Sequence, residues 1–102
     1  MLSHDTPLKI ACAIGNQDLV EMMLSHEADV NLSDHTGVAP LHASIMAGNE
    51  EIATELMELV ADIDQTTQLG KTALHLACEN GYIEIAKKLI DHEADINKQT
   101  RT

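Results

Sequence analysis

The chain has 102 residues, 44% of them hydrophobic, with 17 Asp and Glu against 6 Lys and Arg, a formal charge of −11. That length supports one domain with a modest core, and that apolar share excludes an acidic disordered tail. The charge excludes a basic footprint for nucleic-acid phosphates, and with no Phe or Trp and Tyr82 as the one aromatic residue, base stacking has no platform. Met1 to Asp5 carries no Lys or Arg and the apolar stretch Ile10 to Ile14 is too short for an export signal. No run approaches the roughly 20 residues of a membrane span. The expected location is the cytoplasm, with the nucleus as the alternative.

Thr6-Pro7 reads as a helix cap followed by the residue favoured at the first helical position. Leu8, Ile10 and Ala11 then make a short helix of about two turns. Gly15 suits the left-handed end of that helix and Asn16 caps the next. Leu19, Val20, Met23 and Leu24 form the apolar stripe of the second helix. A polar turn from Val30 to Val38 follows. The same order then recurs at a step of 33 residues: Leu8, Leu41, Leu74; Gly15, Gly48, Gly81; Ala28-Asp29, Ala61-Asp62, Ala94-Asp95. Gly37 and Gly70, Pro7 and Pro40, and Cys12 and Cys78 all fall on this step, so every Gly, Pro and Cys is in register. The second unit places Ile52, Ala53, Leu56 and Met57 on its stripe, and the third Ile85, Ala86, Leu89 and Ile90. Such a period is the mark of stacked units.

These residues resemble the ankyrin repeat. Its Thr-Pro-Leu-His motif stands here as Thr6-Pro7-Leu8-Lys9, Ala39-Pro40-Leu41-His42 and Thr72-Ala73-Leu74-His75, and its Gly-Ala-Asp-Val-Asn ending as Glu27 to Asn31, Val60 to Asp64 and Glu93 to Asn97. The resemblance implies an all-α ankyrin-repeat solenoid of helix-turn-helix units with protruding β-hairpin loops. It covers one domain, residues 1–102, with repeats at about 4–36, 37–69 and 70–102. Where the family has a left-handed Gly before Ala-Asp, this chain has Glu27, Val60 and Glu93. A non-Gly residue there costs roughly 1 kcal/mol or more, and β-branched Val60 is expected to be the most strained. Ala39 lacks the capping hydroxyl, a loss of about 1 kcal/mol. Neither end is specialised as a polar cap, and a block excised from a longer protein is the slightly favoured origin.

Candidate chemistry is thin. Gly70-Lys71-Thr72 imitates the end of a phosphate-binding loop, but Gln65 stands where that motif needs Gly. Asp29 to Pro40 fails a calcium loop at its sixth and twelfth positions, Asp34 and Pro40. His42 and His75 occupy the family's motif position, where the resemblance implies a hydrogen bond that steadies neighbouring hairpins, and no histidine pair has zinc-ligand spacing. Layers about 8–10 Å apart keep Cys12 and Cys78 beyond the ~7 Å reach of a disulfide, and both are expected as buried free thiols of a reducing compartment. Asn31-Leu32-Ser33 is a glycosylation sequon that such a compartment leaves idle. No catalytic group, metal or cofactor is expected, and the chain is read as a non-enzyme.

The expected function is a protein–protein interaction module. The alternative is an inhibitory or regulatory domain of an enzyme or transcription factor. The resemblance implies a partner on the concave face formed by hairpin tips and first helices. Its tip positions are Leu2, Ser3, Asp5, His35, Thr36, Val38, Gln68, Leu69 and Lys71, and its helix positions are Ala13, Ile14, Met46, Ala47, Glu79 and Asn80. The repeat does not require Ile14, Val38, Met46 or Leu69 to be apolar, and together they suit an interface patch. Residues 1–70 hold twelve acids against Lys9 alone, whereas residues 71–102 are neutral. A protein partner with a basic surface fits that asymmetry; neither nucleic acid nor membrane does. A monomer is expected, with weak self-association as the alternative. Asn31 and Asn97 match a position hydroxylated in some ankyrin repeats.

Overall fold

A computed structural model describes residues 5–60 and 62–100. Six short helices follow one another: α1 (Pro7–Ile14), α2 (Gln17–Ser25), α3 (Pro40–Met46), α4 (Glu50–Met57), α5 (Ala73–Glu79) and α6 (Ile83–Asp91). Helices of this length are marginal alone, so their ends and their packing must hold them. Thr6 Oγ1 accepts from Lys9 N–H at the start of α1, and Asn16 and Asn49 accept from Leu19 N–H and Ile52 N–H at the starts of α2 and α4. Thr72 does the same for α5 through His75 N–H. Ala39 provides no side-chain cap to α3, as its methyl group requires. Gly15 ends α1 at φ 83°, and its N–H closes on Ala11 C=O, a conformation that side chains with a Cβ disfavour.

Each pair α1–α2, α3–α4 and α5–α6 packs on itself, α1–α3–α5 form an inner row, and α2–α4–α6 form the row behind it. Leu8, Ala11, Cys12, Val20, Leu41, Ile45, Ile52, Leu56, Leu74, Ala77, Ile85 and Leu89 fill the space between rows. Alanines at Ala11, Ala43 and Ala77 let the inner helices approach closely, so a core without Phe or Trp still closes.

The hairpins are tight turns, with no strand among the described residues. Asp34 N–H reaches Val38 C=O and Thr67 N–H reaches Lys71 C=O, and Gln68 N–H ties the two tips through Thr36 C=O at 3.0 Å. A Cβ on Gly37 would meet the backbone of Thr67 and Gln68 at 3.0 Å, so the tip-to-tip approach needs glycine there. The motif histidines tie the start of an inner helix to the loop that follows its helix pair, a bond of the kind the resemblance implied. His42 Nδ1 accepts from Ala39 N–H, and Nε2 bonds Gln65 C=O at 3.0 Å. His75 repeats the arrangement with Thr72 N–H and Lys98 C=O. A backbone N–H at each Nδ1 fixes the tautomer with the proton on Nε2.

Two expectations are corrected. Glu27 and Glu93 take the left-handed conformation, at φ 65° and 67°, but Val60 does not. In the outer units Ala28 N–H and Ala94 N–H reach back to Met23 C=O and Leu89 C=O, closing a left-handed helix end. In the middle unit Val60 N–H bonds Leu56 C=O at 3.0 Å, four residues back, where Glu27 N–H and Glu93 N–H bond Leu24 C=O and Ile90 C=O, three back. The chain there leaves the helix without the turn that its β-branched side chain would resist. The second correction concerns the thiols. Cys12 is buried, and burial raises its pKa to about 11. Cys78, expected beside it as core, is exposed, because the face it occupies is covered in the first unit by the second, whereas among the described residues nothing packs over it in the third.

Candidate functional site: a concave pocket between two hairpins

The two described hairpin tips and the inner helices α3 and α5 enclose a pocket of about 340 Å³. Thr36, Val38, Met46, Thr67, Gln68, Leu69, Lys71 and Leu76 line it. Its wall is mostly apolar: Met46 and Leu69 are 46% and 54% exposed, Val38 is half-buried at the edge of the core, and Leu76 closes the floor. Apolar side chains left open to water in one concavity favour a partner's apolar side chain over solvent.

The tip that carries Thr36 and Val38 is shaped by Asp34. One carboxylate oxygen accepts from Thr36 N–H at 2.8 Å, Thr36 Oγ1 at 2.6 Å and Val38 N–H at 3.0 Å. The other pairs with Lys9 Nζ at 3.3 Å. Burial alone would raise the Asp34 pKa, but the bonds from Thr36, Val38 and Lys9 outweigh it and hold the carboxyl well below the usual carboxylate range. Lys9 stands at the position of His42 and His75, so the first unit fixes its hairpin by charge where the others use an imidazole.

Six of the fifteen expected partner-contact positions line this pocket: Thr36, Val38, Met46, Gln68, Leu69 and Lys71. Two of them also hold the scaffold. Gln68 donates its side-chain amide to His35 C=O at 2.7 Å, latching one tip to the next. Lys71 pairs with Glu79 at 3.0 Å across the pocket rim. His35 is exposed at the tip itself. Asn80 turns away, donating to Leu76 C=O of its own helix. Ile14 and Ala47 lie elsewhere, in an open depression of about 560 Å³ that Gly48, Asn49, Glu50 and Glu51 complete. The apolar patch expected from Ile14, Val38, Met46 and Leu69 is therefore split, with Ile14 apart from the other three. Leu2 and Ser3 lie outside the described residues. Sequence reasoning missed Leu76 and Thr67. The signal for Leu76 was its size, because the equivalent second-unit position is Ala43.

Among the described residues no three His, Cys, Asp or Glu side chains gather as a metal site requires, and no helix is long and apolar enough to cross a membrane. No curated protein matches the chain in a sequence comparison. A family model for ankyrin repeats, three copies, matches residues 8–100. Together with the six helices stacked in two rows among the described residues and the histidine bonds from inner helix to following loop, that match places the chain in the ankyrin-repeat family.

Proposed function

We propose that this ankyrin-repeat protein binds a partner protein through the concave pocket, seating an apolar side chain of the partner among Val38, Met46, Leu69 and Leu76. Ankyrin repeats are generally protein–protein interaction modules, and the single observation supporting this location is the open apolar lining between two latched hairpins. The tips are held by bonds to their own backbone and to one another, so little order has to be gained on binding. Lys71 and Glu79 form an exposed pair on the rim, which can orient a polar flank of the partner while contributing little to stability.

The test places acid into the pocket. Met46→Glu with Leu69→Glu changes two exposed side chains and is expected to leave helical content and unfolding unaltered. Leu59→Glu, an equally exposed apolar residue beyond the end of α4, is the control. Capture of a cellular partner through a photo-reactive residue at Thr36 should be lost in the double variant and kept in the control. Capture retained in the double variant would place the interface elsewhere.

A further inference from the structure

Among the described residues, the outward faces of the first and third units are uncovered, and they complement each other. Position by position, the same residue that is covered inside the stack is bare at one end. Leu76 is 6% exposed, whereas Ile10, its first-unit counterpart, is 45% exposed. In the other direction Cys12 and Ile45 are fully buried and Cys78 is exposed. Around Cys78, a shallow pocket of about 290 Å³ is lined by Tyr82, Ile83, Ala86 and Ile90.

The contacts between units state what would cover this face. Gln17 of the first unit reaches Glu55 of the second at 3.4 Å. One step on, Glu50 of the second pairs with Lys88 of the third at 2.9 Å. Advancing by the same 33 residues, the next partner of Ile83 is the residue equivalent to Glu55 and Lys88, which in the first unit is Met22. Ile83 is 67% exposed and Met22 58%. A pair that is polar at both internal junctions becomes apolar on both sides at the open one. A second contact follows the same rule. Asn49 lies against Gly15, its amide 3.5 Å from Gly15 C=O, and the equivalent approach to the third unit would bring Asn16 over Gly81, beside which a Cβ would meet nothing. Asn16 caps its helix as Asn49 does.

From this register we propose that the open face of α5 and α6 receives the first unit of a second copy of the chain, head to tail, with Ile83 packed on Met22. Charge favours the same polarity. The first two units carry all of the net charge and the third is neutral, so pairing two first-unit faces would oppose like charges while head-to-tail contact does not. A heterologous contact of this kind does not close by itself and builds linear oligomers. It uses faces distinct from the concave pocket.

Sedimentation equilibrium of the 102-residue chain tests it. The interface is small, so association should be weak: the weight-average mass should climb between about 10 µM and about 1 mM and exceed twice the monomer mass at the top of that range. Met22→Glu and Ile83→Glu should each remain monomeric. Mixed together they should form a one-to-one dimer and nothing larger, because each retains the face the other lacks. Met46→Glu with Leu69→Glu should associate as the parent does, which separates this contact from the concave one. A parent that stays monomeric throughout would overturn the proposal. So would a parent that stops at a dimer, or a Met22→Glu variant that still self-associates, since either outcome means a symmetric pairing of like faces.

Discussion

At the scale of single residues, the sharpest contrast lies at the ends of the second helices. Glu27 and Glu93 sit at φ 65° and 67° where glycine carries no steric penalty. Val60, at the equivalent position, escapes by keeping its N–H on Leu56 C=O and its side chain against the core. The same substitution therefore has opposite signs. Glu27→Gly and Glu93→Gly should each relieve about 1 kcal/mol, raising Tm by about 4–8 °C for a domain of this size. Val60→Gly removes packed apolar surface and adds freedom to the unfolded chain, and should lower stability by about 1 kcal/mol or more. Thermal unfolding of the three variants decides it; a rise for Val60→Gly would return that residue to the strained class. Alignment by period hides this difference, because equal position in a repeat does not require equal backbone conformation. A β-branched Cβ broke the equivalence, and so did the end of the stack at Cys78.

At the scale of elements, the helices were legible because caps, glycines and apolar stripes agreed at each unit. The concave site was half legible. Period and chemistry marked Val38, Met46 and Leu69, but no pattern could say that Gln68 spends its amide on His35 C=O or that Asn80 folds back on α5. Those are choices among hydrogen-bond partners made only once the tips meet. The histidine link between hairpins carries a pH dependence. Burial lowers the pKa of His42, against the raising effects of Gln65 C=O and the Asp34 carboxylate. The neutral ring is also the form whose Nδ1 can accept from Ala39 N–H. A depressed folded value means the unfolded chain binds the proton first as pH falls. The stability that His42 contributes is then present above its unfolded pKa near 6.5 and is lost below it, toward the folded value, with a slope of at most about 1.4 kcal/mol per pH unit. Urea unfolding between pH 7.5 and pH 5 should show that fall in the parent and a flatter profile in His42→Asn. Parallel profiles would show that His42 does not titrate with unfolding.

At the scale of the whole molecule, charge is distributed by unit. The acids of residues 1–70 are offset by Lys9 alone, and Glu50 and Glu51 border the separate depression that Ile14 and Ala47 line. Of these two, Glu50 is held by Lys88, which leaves Glu51 the more available to a partner. Exposed charges of one sign over two units make a field that reaches a Debye length, about 10 Å at 0.1 M salt, and such fields act on encounter more than on the final contacts. A basic partner approaching the concave face is therefore expected to associate faster at low salt, while its dissociation, set by the apolar pocket, changes little. Glu51→Lys with Glu58→Lys alters the field without touching the lining of the pocket. With the partner recovered through Thr36, this variant should associate about tenfold more slowly at low ionic strength, with a flattened salt dependence and an unchanged dissociation rate. Equal association rates for parent and variant at every salt concentration would mean that the acidic units serve solubility and that the pocket alone selects the partner.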